Sequence, residues 1–211
     1  MRYLIVCGGK IDKEFGLNEI KTDGIDAIIA ADSGMDFLYE NGVTPDIIVG
    51  DFDSTTTNAL EYFERKGQTE IRRLNPIKDD TDTEYAIRLA ISEGARSIVL
   101  LGATGSRIDH VLGNISLLGI GLESGTDISI IDTNNRIRMA DKPVTIEKSA
   151  QYGRFVSLIA LTDDNEVSLK GFKYPVTDYS FDRFTSLGIS NEIVDDHALI
   201  DIHRGKFIII E

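Results

Sequence analysis

Ile47-Ile48-Val49-Gly50-Asp51-Phe52-Asp53-Ser54 is a short apolar run without polar alternation that breaks abruptly into acidic and small residues. A strand buried on both faces needs that composition, and such strands occur in parallel sheets covered by helices on either side. Working outward, runs of the same kind occupy residues 3–7, 27–31, 98–101 and 128–131, with a weaker one at 70–74. Between them lie segments with helical spacing that stop at glycine: 35–41 before Gly42, 58–66 before Gly67, and 81–93 before Gly94. Strands alternating with helices predict an α/β domain built on a Rossmann-like parallel sheet.

The pattern changes after Asn135. Residues 136–140, 144–148, 155–161, 166–172, 197–203 and 206–211 are short, β-rich and separated by turn residues, with no helical period among them. They predict a second, all-β domain, a sandwich or barrel. The expected organisation is an α/β domain over 1–135 and an all-β domain over 136–211, packed closely because no Pro-rich linker or low-complexity tract separates them.

A chain of 211 residues, 42% hydrophobic and 27% charged, can bury a core without staples. Its formal net charge of -13 argues against a nucleic-acid partner, because that binding rests on neutralising phosphates with Lys and Arg. The single cysteine, Cys7, excludes an intramolecular disulfide and a cysteine-built zinc site, and fits a cytoplasmic location. The apolar run at residues 3–7 is too short for a signal-peptide core or a membrane span, so it reads as the first strand.

Ligands of open parallel sheets bind outside the carboxyl ends of the strands, and polar residues gather at those positions here. Asp51 and Asp53, two apart in extended backbone, point to one side and can reach one cation. Hard oxygen donors select magnesium or manganese. The same residues could also simply end a strand and cap a helix. Lys78-Asp79-Asp80-Thr81-Asp82-Thr83-Glu84 adds three further aspartates, where Thr81 and Glu84 have capping-box spacing and Asp82 falls in the first helical turn. Capping and the helix dipole account for one aspartate but not for all three, whose repulsion a divalent cation would relieve. Gly102-Ala103-Thr104-Gly105-Ser106-Arg107 is a small turn leading into a helix. Its free N–H groups and the forked donor of Arg107 suit phosphate oxygens. His110, just after Asp109, reads equally as a substrate contact or a structural histidine, while His197 and His203 read as structural. Gly8 and Gly9 read as a close backbone approach to a ligand or as a plain turn.

Taken in order, Ala31-Asp32-Ser33-Gly34, residues 50–54, Asp79-Asp80-Thr81-Asp82, residues 102–110 and Thr185-Ser186-Leu187-Gly188-Ile189-Ser190-Asn191 resemble the thiamin pyrophosphokinase family over nearly the whole chain. The resemblance implies an enzyme that transfers diphosphate from ATP to the hydroxyl of thiamine, giving thiamine diphosphate and AMP. It also implies a homodimer with thiamine between the α/β domain of one subunit and the β domain of the other. By the same resemblance Asp51, Asp53 and Asp82 serve magnesium and, with Arg107, catalysis. Lys78, Asp79, Thr104, Gly105, Ser106, Arg107, Asp109 and His110 hold the nucleotide, and Asp32, Ser190 and Asn191 face thiamine. Stacking on the thiamine rings would fall to Phe or Tyr, several of which lie in residues 172–184, since the chain has no Trp.

Two other readings compete. The stretch 47–55 resembles the strand and Asp-x-Asp-x-Thr motif of haloacid-dehalogenase-like phosphatases, with Asp51 as nucleophile, although no later strand ends in the paired-acid motif of that group. A non-catalytic nucleotide or thiamine sensor would keep the same site for binding alone.

Overall fold

The computed structural model describes residues 1–52, 58–75 and 80–211, which divide into two compact units, Met1–Thr133 and Asn134–Glu211. In the first, strands and helices alternate: β1 (Arg2–Val6), α1 (Lys13–Ile20), β2 (Ala27–Ala31), α2 (Gly34–Glu40), β3 (Ile47–Gly50), α3 (Ala59–Lys66), β4 (Glu70–Arg73), α4 (Asp82–Ser92), β5 (Ser97–Leu101), α5 (Ile108–Ser124) and β6 (Asp127–Ile131). The strands pair in parallel in the order β4-β3-β2-β1-β5-β6. The apolar runs are apolar because both faces are covered. Leu4, Val6, Ala30, Ile48, Val99 and Leu101 share one core with Met35, Leu38 and Phe63 from the helices. The weak run became β4, an edge strand whose Glu70 and Arg73 are exposed, so it has less apolar surface to bury.

Helix α1 lies outside the sequence expectation. It is short and has Gly16 at its centre, yet Asp12 caps it by accepting from the Phe15 N–H at 2.9 Å. A β-carbon at Gly16 would stand 2.6 Å from Ile11 Cγ2 and 2.7 Å from Phe37 Cζ, so close packing imposes the residue that hides the helix from propensity reasoning.

The second unit holds β7 (Arg136–Ala140), β8 (Val144–Glu147), β9 (Ser157–Ala160), β10 (Glu166–Lys170), β11 (Val176–Ser180), β12 (His197–Arg204) and β13 (Phe207–Ile210). Two antiparallel layers, β7-β13-β9 and β11-β10-β12-β8, enclose a common core of Leu158, Val167, Phe172, Phe181, Ile200 and Phe207, as in a sandwich. Strand β11 is the element that patterning missed. Four of its five residues are exposed, and it pairs with β10 across a register shift between Val167 and Leu169. At the far end of β13 the Glu211 carboxylate, with no exposed side-chain surface, accepts from Arg136 and Arg138, each at 2.6 Å, and ties that strand to β7.

One contact fixes the start of α2 against β1: a β-carbon on Gly34 would lie 2.0 Å from the Val6 carbonyl oxygen, and backbone cannot yield to it. Gly34→Ala is therefore expected to cost about 1–3 kcal/mol. The urea midpoint followed by circular dichroism checks this, and a wild-type midpoint would contradict the packing.

Candidate active site

Backbone pairing continues one to three residues past the strand ends. Cys7 N–H donates to the Leu101 carbonyl, Gly9 N–H to that of Gly102 and Asp32 N–H to that of Val49, each at 2.8 Å. Beyond this point the chain turns sharply, and two non-glycine residues take left-handed backbone, Asp32 with φ 48° and Phe52 with φ 62°. Such conformations cost on the order of 1–3 kcal/mol each and persist where surrounding packing over-determines them. Phe52 is buried beneath the Arg73 guanidinium, 5.5 Å from its ring centroid, which anchors the turn and leaves Asp51 at the sheet edge. Gly50 makes the arrangement possible. Its β-carbon would meet Phe52 Cε1 at 3.1 Å and Asp32 Cα at 3.2 Å.

The consequence is electrostatic. One carboxylate oxygen from each of Asp32, Asp51 and Asp82 lies within 4.8 Å of the others, all three residues being half-buried. Asp82 arrives from the first turn of α4, where Thr81 Oγ1 accepts from the Glu84 N–H at 3.2 Å, as the capping spacing predicts. Oxygens on opposite sides of a hard divalent cation are about 4–5 Å apart at metal–oxygen distances of about 2.0–2.6 Å, so this donor set fits one ion. Asp51 and Asp82 thus come together, joined by Asp32. Asp53, Lys78 and Asp79 lie outside the described residues.

Residues 102–107, Asp109 and His110 form the wall of a cleft of about 770 Å³ that also takes in Gly8, Gly9, Asp32, Asp82, Gly113, Asn114 and Leu117. Gly102 is left-handed at φ 72°. A β-carbon on Gly9 would fall 2.3 Å from the Gly102 carbonyl oxygen and 2.4 Å from that of Thr104, so the close approach at Gly9 is to the protein's own 102–104 backbone. The turn is held from behind: Thr104 Oγ1 donates to Asp132 Oδ2 at 2.9 Å, and Asn114 Nδ2 to the Ala103 carbonyl at 2.7 Å. Arg107 pairs with Asp109 at 2.7 Å on an exposed rim, and its hydrogen bond holds the Asp109 carboxyl below the usual carboxylate range. Asp109 also accepts from the His110 N–H at 3.0 Å, and His110 lines the cleft.

Sequence reasoning missed Asn114 and Asp132. Asn114 lies one helical turn beyond His110, on the face that lines the cleft. Asp132 directly follows β6 and so obeys the strand-end rule that found the other acids.

In the second unit, Ser190 is exposed with left-handed backbone at φ 62°, and its N–H donates to Ser157 Oγ at 3.0 Å. Asn191 is buried. Its side-chain oxygen accepts from the Tyr174 and Glu192 N–H groups at 3.1 and 2.9 Å, and its amide donates to the Tyr174 carbonyl at 2.9 Å, so the side chain orders the loop around it. His203 stands 3.0 Å from Ser168 Oγ and 3.3 Å from Asp178 Oδ1.

A parallel α/β sheet that brings carboxylates and a glycine turn to one cleft is the architecture of enzymes that act on phosphate compounds. Comparison with known proteins specifies the kind. Residues 21–130 match the family described as "Thiamin pyrophosphokinase, catalytic domain", and residues 143–207 match "Thiamin pyrophosphokinase, vitamin B1 binding domain". Thiamine pyrophosphokinase of Bacillus subtilis (strain 168) is 34% identical over 184 residues, spanning 86% of this chain and 85% of that protein. The crystal structure of thiamine pyrophosphokinase from Bacillus subtilis superposes with a TM-score of 0.88 at 31% identity, covering 100% of this chain and 98% of that one. That of thiamin pyrophosphokinase from Geobacillus thermodenitrificans gives 0.86 at 30% identity, covering 100% and 96%. The chain belongs to the thiamin pyrophosphokinase family. That assignment favours neither the phosphatase nor the sensor.

Cys7 lines the cleft floor, fully buried, with Thr83 Oγ1 donating to its sulfur at 3.7 Å; burial pushes its thiol up to about 11. The native protein should therefore hold only about one part in a thousand as thiolate at pH 8 and react slowly with iodoacetamide, whereas the urea-unfolded chain should react at the rate of a free thiol. Equal rates in the two states would contradict the burial.

Proposed function

We propose that the protein transfers the terminal diphosphate of ATP to the hydroxyl of thiamine, releasing AMP and thiamine diphosphate. The observation that carries this reading is the meeting of Asp32, Asp51 and Asp82 beside the turn at residues 102–107, in a chain of this family. The thiamine hydroxyl oxygen attacks the β-phosphorus and the bond from that phosphorus to the α,β-bridging oxygen breaks. The bonding electrons leave with AMP, and the hydroxyl proton passes to a carboxylate or phosphate oxygen.

The protein's part is position and charge. Asp32, Asp51 and Asp82, with Asp53, would hold magnesium or manganese, which when bound screens the phosphate oxygens. Thr104, Gly105, Ser106, Asp109, His110, Lys78 and Asp79 form the nucleotide side. Because the Arg107–Asp109 pair is solvent-exposed and hence weak, Arg107 can exchange Asp109 for phosphate oxygens at little cost. Asp32 thus has a role beside the cation in addition to the thiamine contact that the resemblance implies, and Ser190 and Asn191 shape the thiamine side.

We place the nucleotide chemistry in the α/β domain, residues 1–135, and thiamine binding and dimerisation in the all-β domain, residues 136–211, of a cytoplasmic homodimer. Exposed apolar side chains on both units, Ile108 and Leu112 on α5 and Phe184 and Leu187 in the second unit, support burial against another subunit. Among the described residues no helix is long and apolar enough to cross a membrane.

The direct test is AMP formation from ATP and magnesium, dependent on added thiamine. Asp51→Asn and Asp82→Asn should each lower kcat by about 100-fold or more with unchanged circular dichroism. Near wild-type turnover across a magnesium titration would remove the assignment. The shared site has its own test. Asp82→Asn mixed with a Ser190→Ala/Asn191→Ala variant should regain activity once subunits exchange, because each mixed dimer carries one intact site. A mixture that exchanges but stays inactive would place both halves in one chain.

A further inference from the structure

We infer that Asp132 is a positioning residue for nucleotide binding: it acts through Thr104, with Asn114 as a second brace, to lock the turn at residues 102–107 in its phosphate-accepting shape. The inference rests on the nucleotide role proposed for that turn. Two of the turn's residues are glycine. Gly102 holds a left-handed φ of 72°, and around Gly105 a β-carbon would find its nearest neighbour, Gly9 Cα, only at 3.7 Å. Left to itself such a segment is mobile, and ordering it on binding would subtract from affinity.

The fold removes that freedom at three consecutive residues from three different elements. The Gly102 carbonyl takes the Gly9 N–H from the end of β1 at 2.8 Å, and the Ala103 carbonyl takes Asn114 Nδ2 from α5 at 2.7 Å. The Thr104 hydroxyl donates to Asp132 from the end of β6 at 2.9 Å. With the Gly102 and Ala103 carbonyls both engaged by protein donors, neither competes for a bound anion, and a backbone anion cradle at this turn would draw on its N–H groups.

Asp132 does not line the cleft, while Ala103, Thr104, Gly105 and Ser106 do, so its carboxylate works from behind the turn. The geometry also settles what Thr104 does. A hydroxyl has one proton, and here it goes to Asp132, so Thr104 serves the nucleotide with its backbone and not as a side-chain donor to phosphate.

The two roles for Thr104 give opposite signs. If its hydroxyl bonded phosphate directly, removing the Asp132 charge would leave ATP binding unchanged or tighten it, since a carboxylate near phosphate repels. As a brace, Asp132→Ala should raise KM for ATP by about ten- to a hundred-fold, the effect of losing a hydrogen bond to a charged group. KM for thiamine should stay within about two-fold, and Asp132→Asn, which keeps an acceptor oxygen, should recover most of the loss. Thr104→Val should match Asp132→Ala, Thr104→Ser, which keeps the hydroxyl, should recover most of that loss, and the double variant should be no worse than either single one. If Asp132→Ala fails to fold, the Thr104 pair decides alone. An unchanged or lower KM for ATP in Asp132→Ala, additive losses in the double variant, or wild-type behaviour of Thr104→Val would each overturn the inference. Calorimetric titration with a non-hydrolysable ATP analogue reads the brace separately from the proposed reaction. Absence of thiamine-dependent AMP in the wild type would defeat only that reaction.

Discussion

Three carboxylates with oxygens within 4.8 Å of one another, two of them lining the cleft, set the terms for the rest of the first unit. Asp32, Asp51 and Asp82 come from the ends of two neighbouring strands and the first turn of a helix, so the backbone of three packed elements brings them together. Their repulsion is opposed by rigid backbone: the parallel ladder, the buried Phe52 ring, and glycines at Gly34 and Gly50 where a side chain would strike backbone. Asp32 and Phe52 store conformational strain at this edge, and the buried apolar strands behind them hold it in place. A divalent cation bound there would turn the repulsion into cohesion, and that is the proposed physical link between the fold and diphosphate transfer.

The phosphate side of the cleft is built by the opposite device. Where the acids are forced together, the turn at residues 102–107 is short of intrinsic order and is held by hydrogen bonds from its neighbours. Both halves depend on the same sheet. β2 and β3 deliver Asp32 and Asp51, α4 packed on the sheet delivers Asp82, β1 and β6 deliver Gly9 and Asp132 to the turn, and α5 leads out of it. Arg107 closes the turn on the exposed rim, paired with Asp109 in a contact that solvent weakens.

Much of this was legible in the sequence because burial on both faces leaves a simple signature. The apolar runs at residues 27–31 and 98–101 became β2 and β5, and the glycine stops after residues 66 and 93 became the ends of α3 and α4. What escaped had physical reasons. Gly16 disguises α1 because packing against Ile11 and Phe37 overrides propensity, and β11 is an exposed edge strand with little apolar pattern to read. At the site, the strand-end rule found Asp32, Asp51 and the turn. Spacing along one chain could not reveal that Asp32 would stand beside Asp82, fifty residues away, or that the Asn191 amide would be spent on Tyr174 and Glu192. Those are properties of the folded backbone, not of any local pattern.

The claim that most of this depends on is that the three carboxylates act as one cation site. Titration of the protein with Mn²⁺, followed by electron paramagnetic resonance of the free ion, tests it without any substrate present. The account predicts a bound Mn²⁺ that magnesium displaces, with its dissociation constant raised about tenfold or more by Asp32→Asn and by Asp82→Asn alike. Binding that survives both substitutions unchanged would contradict it.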